Sequence, residues 1–303
     1  MKLASLPEAL LVSRLRGDGL SLSFGAFSIS LRSPIRSVAN AVSFFYGDYE
    51  LCQENAFIDY RVELAPPSLA RNWIRAQVGF SFDGLMPFKP LPQAQAFAMF
   101  EWGLNWVVAN NAHQFLVIHA AVVERYGRAL ILPGSPGSGK STLCAALVNR
   151  GWRLLSDEMA LVSLSSGLIT PFPRPVSLKN ASIKIILDYA DDAVIGDVIH
   201  DTAKGSVAHM RAPLRSIEEI THQAIPVGIV FPRYQAGAKS ALQVLSKGQS
   251  LLKVAENSFN YNVLGSVGFD RLADTIDRCR CYSYLYEFLD DAILTMERLV
   301  QDA

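Results

Sequence analysis

The eight residues GSPGSGKS at positions 134–141 constrain this chain more than any other feature. They fit GxxxxGK[ST] in full, follow the apolar run RALILP and precede a helix-forming stretch. A glycine-rich turn between strand and helix lets backbone N–H groups converge on an anion, and the helix adds its positive dipole end. Gly134, Ser135, Pro136, Gly137, Ser138 and Gly139 form the cradle. Lys140 would neutralise β- and γ-phosphates, the Ser141 hydroxyl is placed for Mg²⁺, and Thr142 continues the helix start. A chance match is expected in only about 1% of chains this long. The stretch therefore predicts an α/β fold holding a nucleotide triphosphate at the carboxyl edge of its sheet.

Asp157 and Glu158 follow the loop after barely one helix. A helix from Ser141 to Arg150 runs about 15 Å away from the phosphates. Gly151 can end it as a left-handed cap. A strand from Trp152 to Ser156 then returns about 16 Å. Out and back nearly cancel, so a right-handed crossover sets both acids beside Ser141. Two adjacent acids can simply cap a strand end; beside a triphosphate they suit a metal to bind and a proton to move.

The 303 residues fit one large domain or two ordinary ones. Twenty-eight basic and twenty-eight acidic residues cancel, so no net field favours nucleic acid or an anionic membrane. Cys52, Cys144, Cys279 and Cys281 form no ligand-spaced set with the five histidines, which argues against structural zinc and disulfides. The start carries no clean export signal and no window is apolar enough to span a membrane, so the expected compartment is the cytoplasm.

Residues 1–112 read as a small α+β module. Residues 21–32 alternate as a strand or hairpin, and 33–49 show helical spacing behind Ser33 as cap, with Pro34 in the first turn. Strands are expected at 57–65 and 73–84, and the longest helix at 92–112, with Phe97, Phe100, Leu104 and Val107 on one stripe. From 113 to 303 buried-strand runs alternate with helices, which predicts a sheet with parallel neighbours. Residues 181–190 look helical, 201–213 resemble a mobile loop, and the chain ends as a strand followed by a closing helix.

His119, GSPGSGKS and RGWRLLSDE together resemble the HPr kinase/phosphorylase superfamily, whose kinase domain is similar to phosphoenolpyruvate carboxykinase. Typical members place a histidine upstream of GxSGxGKS and then RGHRLxADD, at the same spacing. EWGLNW, HAAVVER and PRPVSLKN extend the resemblance to the branch called HprK-related kinase A over nearly the whole chain. The fold so implied is a P-loop kinase domain of HPr-kinase type at 113–303 behind the smaller N-terminal α+β module.

The resemblance implies ATP and Mg²⁺ as cofactors. Lys140 and Ser141 would hold the phosphates and the metal, Asp157 would bind the metal, and Glu158 would be the general base. The two acids could exchange roles. His119 falls on the family's active-site histidine, or is a satisfied histidine in a buried strand. Two departures stand out: the second acid is Glu158, one methylene longer than the family's, and no acid followed by Arg-Gly is recognisable. PRPVSLKN takes that place and offers Lys179 without a carboxylate, which puts a second Mg²⁺ site in doubt. Lys204, His209 and Arg211 could steady the transferring group or belong to an ordinary solvated loop.

These residues imply a kinase acting on a serine or threonine hydroxyl of a protein or peptide. For the branch resembled, that substrate would be a ribosomal peptide precursor presented with a PqqD-like peptide-binding partner. The alternatives are a nucleotide-responsive binding module with slow hydrolysis and a kinase for a small hydroxyl compound. The superfamily often forms hexamers, so a homo-oligomer is compatible with the apolar composition.

Overall fold

The computed structural model describes residues 1–68, 70–72 and 75–303. The start of the strand expected at 73–84, Trp73 and Ile74, lies outside the described residues. The chain is mixed α/β and divides into two compact units. One holds residues 1–108 with 199–204, the other residues 109–198 with 205–303. Among the described residues no helix is long and apolar enough to cross a membrane.

The first unit contains α1 (Glu8–Arg16), β1 (Leu20–Ser23), β2 (Ser28–Arg32), α2 (Arg36–Tyr46), β3 (Glu50–Leu51), β4 (Tyr60–Ala65), β5 (Gln77–Phe82) and β6 (Leu91–Pro92). Its strands form one sheet in the order β3-β1-β2-β4-β5-β6. β1 and β2 form a hairpin, one of the two forms expected at 21–32, while β2 and β4 run parallel. α2 starts three residues beyond the expected cap. Ser33 instead accepts from the Ile35 N–H at 3.2 Å and donates to the Leu64 carbonyl at 2.8 Å, tying the strand end to the sheet. Phe24, Tyr46 and Tyr49 meet with ring centroids 5.0–5.2 Å apart in the core. A cleft of about 250 Å³ between α1 and α2 is lined by Leu11, Phe44 and Glu8, the last paired with Arg36.

The long helix α3 (Ala96–Asn111) starts four residues later than expected, after a short 3-10 turn at Gln93–Gln95. It enters the first unit's core through Phe97, which stacks on Phe45 at 4.5 Å, and Phe100. Gly103 is required there: a Cβ would come within 2.2 Å of the Phe80 ring.

The second unit is built on β7 (Phe115–Arg125) and β8 (Arg128–Pro133), followed by α4 (Lys140–Asn149), β9 (Arg153–Ser156), β10 (Met159–Ser163) and β11 (Ile169–Thr170). Then come β12 (Val176–Lys179), α5 (Ala181–Tyr189), β13 (Ile199–Thr202, within the first unit) and β14 (Gly205–Met210). α6 (Leu214–Glu218), β15 (Ile225–Tyr234), β16 (Ala241–Val244), α7 (Lys247–Glu256), α8 (Tyr261–Arg278), β17 (Arg280–Tyr286) and α9 (Leu289–Gln301) complete it. The main sheet runs β11-β10-β7-β8-β15-β17-β16, with β9 also paired to β7.

One expectation is met in part and another needs correction. The expected parallel neighbours occur at β8, β15 and β17, but the sheet is mixed: β7 is antiparallel to β8, β9 and β10. The cause is local. Tyr126 and Gly127 both have positive φ, 59° and 78°, which closes β7 onto β8 as a two-residue hairpin. The stretch 201–213 is not a loop. Its middle forms β14, antiparallel to β12 with Ser177 opposite His209 and Lys179 opposite Val207. Small and polar side chains disguise that strand, yet Val207, Ala208, His209 and Met210 are all buried.

Candidate active site

β8 delivers the chain to the loop at Pro133, and α4 begins at Lys140. The glycines allow the turn between them. Gly137 has φ 84° and Gly139 φ 93°, conformations that L side chains rarely adopt. Gly139 is also pressed from outside, since a Cβ would lie 2.6 Å from Tyr286 Oη. Tyr286 Oη donates to the Gly139 carbonyl at 3.2 Å, and the Tyr234 N–H donates to that of Ser138 at 3.0 Å. The ends of β15 and β17 thus hold the loop against the start of α4.

Ser135, Pro136 and Gly137 are exposed, and Gly134, Ser138, Gly139, Ser141 and Thr142 are half-buried. Ser138 Oγ is buried without a hydrogen-bond partner. No side chain caps α4, so the N–H groups of its first turn remain directed at the loop. Lys140 is buried, and its Nζ donates to the carbonyls of Gly134 and, at 3.4 Å, Ser135. Burial pushes its pKa down, while Glu158 and Asp157 pull it up and Lys179 opposes them.

α4 carries Leu143, Cys144, Ala145, Ala146, Leu147 and Val148 into the core and ends before Gly151, whose φ is 86°. β9 then returns antiparallel to β7, with Arg153 anchored to the buried Glu124 by a 2.6 Å Nε to Oε2 bond. β8 and β9 both run opposite to β7, so they run alongside one another with β7 between them. Asp157 and Glu158 occupy the break between β9 and β10. β9 pairs Ser156 with Val122, and β10 pairs Met159 with His119.

The two acids face different surroundings. Asp157 is buried. Its Oδ2 accepts from the Ser177 N–H at 3.0 Å, and its Oδ1 has no hydrogen-bond partner. Its pKa is pushed up to about 6, by burial first and the Glu158 charge second. Lys179, the Ser177 N–H and the nearby Ser141 hydroxyl work against that shift. Glu158 is partly exposed, with Oε2 3.3 Å from His119 Nε2 and Oε1 3.4 Å from Lys179 Nζ. The His119 backbone N–H donates to the Asn257 carbonyl at 2.6 Å, and its ring packs against Phe259 at 5.4 Å.

The structure therefore brings Lys140, Ser141, Asp157, Glu158 and His119 into one electrostatic neighbourhood. It adds residues that the sequence left unassigned. Ser177 fixes Asp157 through its backbone. Lys179, from the PRPVSLKN stretch, pairs with Glu158 at 3.4 Å. His209 lies behind them on β14, with its pKa driven down to about 3 by burial and then by Lys179 and Arg174, so it stays neutral. Lys204 belongs to the first unit, over the Trp102 ring, and the Arg211 N–H donates to the Val194 carbonyl. His209 was already a candidate from the sequence; what the sequence missed is the pairing of 205–210 with PRPVSLKN, segments about thirty residues apart, which buries it.

Asp157 Oδ1 and the Ser141 hydroxyl suit a hard divalent cation, which binds one or two carboxylates and completes its shell with phosphate oxygens and water. Among the described residues no group of three His, Cys, Asp or Glu side chains could hold a metal by itself.

Residues 91–179, under a third of the chain, match the family model described as SynChlorMet cassette protein ScmC. The chain is also similar to the HPr kinase/phosphorylases of two strains of Treponema pallidum, one of them the Nichols strain. Each is 33% identical over 61 residues, covering 20% of this chain and 19% of the relative. The match thus spans about a fifth of the length of those relatives. Among solved structures, that of the Hpr(Ser) kinase/phosphatase from Coxiella burnetii is 12% identical, covers 61% of this chain and 94% of its own, and has a TM-score of 0.26. The chain is therefore similar in sequence to HPr kinase/phosphorylases over a short segment of a mixed α/β fold.

Proposed function

We propose that the chain is an ATP-dependent kinase that transfers the γ-phosphoryl group to a serine or threonine hydroxyl of a protein or peptide, working in the cytoplasm where ATP is supplied. The observation that carries this reading is the return of Asp157 and Glu158 to the glycine loop, with Asp157 beside Ser141 and both acids acting on Lys140. The 134–141 segment acts as a P-loop: its N–H groups cradle the phosphates, and Lys140 leaves the loop carbonyls to meet them. Asp157 and Ser141 would hold Mg²⁺, which would supply positive charge to the triphosphate.

Glu158 receives the acceptor's proton as the phosphoryl group passes in line. It fits that task better than Asp157, because it is the more exposed acid and is oriented from both sides by His119 and Lys179. The products are ADP, the phosphorylated side chain and the proton that Glu158 gives up. Similarity to HPr kinase/phosphorylase over a short segment supports a polypeptide acceptor, and we place a ribosomal peptide precursor with a PqqD-like partner first among candidates.

The test is incubation of the whole chain with γ-labelled ATP and peptides encoded beside its gene, followed by mass spectrometry of the label. Phosphate on a serine or threonine is expected. Label appearing only as inorganic phosphate, whatever acceptor is offered, would support a nucleotide-responsive module instead.

A further inference from the structure

Lys179 is fixed with unusual care for a lysine at a strand end. Its N–H donates to Ser182 Oγ at 2.7 Å, and that hydroxyl donates back to the Lys179 carbonyl at 2.7 Å. The next residue, Asn180, has φ 52° and ψ −122°, a conformation costly for a side chain with a Cβ. It is sustained by two bonds to Ser206: the Ser206 N–H donates to Asn180 Oδ1 at 3.1 Å, and the Asn180 N–H donates to the Ser206 carbonyl at 2.8 Å. Strain held by a ladder on both sides sets the direction in which the Lys179 side chain leaves β12.

That side chain ends 3.4 Å from Glu158 Oε1. Its charge also favours ionised Asp157 and opposes the charges of Lys140 and His209, so one ammonium reaches the whole acidic pair. Two-metal phosphoryl-transfer sites place two cations roughly 4 Å apart, clamped by shared carboxylates. Here the carboxylates are two. Asp157 offers one buried oxygen with no hydrogen-bond partner, whereas both oxygens of Glu158 already face His119 and Lys179. A second divalent ion on Glu158 would have to displace the ammonium or sit against it.

We propose that Lys179 is the second cation of the site, so that the chain takes one divalent ion per nucleotide and the ammonium supplies the charge a second ion would bring beside Glu158. This rests on the nucleotide reading above. Lys179 would draw electron density on the acceptor side of the transferring group without leaving or exchanging during turnover.

The test counts Mn²⁺ by electron paramagnetic resonance, with a non-hydrolysable ATP analogue whose binding is measured separately by calorimetry. One Mn²⁺ per chain is expected for the wild-type protein. Lys179→Glu, which turns the cation into a carboxylate, is expected to bind two, the second at least tenfold tighter than any second ion on the wild type. Two ions on the wild-type protein, or one ion on Lys179→Glu with the analogue bound, would overturn the proposal. Failure of the analogue to bind at all would show in the calorimetry and would bring down the nucleotide reading itself, and this proposal with it.

Discussion

Lys140→Ala is expected to weaken ATP binding about a hundredfold while leaving the fold intact by circular dichroism. The lysine is buried at the first position of α4, and its ammonium rests on the carbonyls of Gly134 and Ser135. In the proposed site those carbonyls would be stand-ins, since a triphosphate in the cradle would offer a stronger partner. Removing one member of a buried, charge-assisted pair costs about 2–5 kcal/mol, and each 1.4 kcal/mol is tenfold in affinity. Calorimetric titration with ATP measures it directly. Unchanged affinity would mean that the loop is a glycine turn capping a helix and nothing more.

The second large effect concerns proton transfer. Glu158→Gln is expected to slow single-turnover transfer from γ-labelled ATP by about 10²–10⁴, the usual contribution of a positioned general base. ATP affinity should change by less than about threefold, because Glu158 is aimed at His119 and Lys179 while Asp157 lies closer to Ser141. The amide keeps the shape and can still bond on one side, so a packing defect would not mimic the loss. Transfer that persists at the wild-type rate would remove Glu158 from the role of base.

Why the acids meet the loop was legible in the sequence, because the cause is short-range. One helix of ten residues and one strand of four, joined at Gly151, leave little freedom in where Asp157 can end up. The hairpin of β7 and β8 was legible in principle too, from Tyr126-Gly127 between two apolar runs, but the repeated strand-and-helix pattern drew attention to parallel neighbours, which the sheet has only at β8, β15 and β17. β14 was not legible. Its Gly-Ser-Val-Ala-His-Met composition has no clean alternation, and it becomes a strand by pairing with β12 across an intervening helix. That pairing carries Lys179 and His209 to the acids, so the electrostatics of Glu158 could not be read from residues 134–158 alone. Gly103 shows the same limit in the first unit. Nothing local in EWGLNW tells that Phe80 lies against it.

If Asp157 and the 134–141 loop form one site for a metal-bound triphosphate, Mg²⁺ and Asp157 must act on nucleotide binding together. The most direct measurement is ATP affinity with Mg²⁺ and with chelator, in the wild-type protein and in Asp157→Asn. An amide in place of Asp157 keeps the acceptor from the Ser177 N–H but removes the charge beside Ser141. Mg²⁺ is expected to tighten ATP binding about tenfold or more in the wild type, and Asp157→Asn to lose this gain while its chelated affinity is unchanged. An Mg²⁺ gain of the same size in both proteins would contradict a shared site.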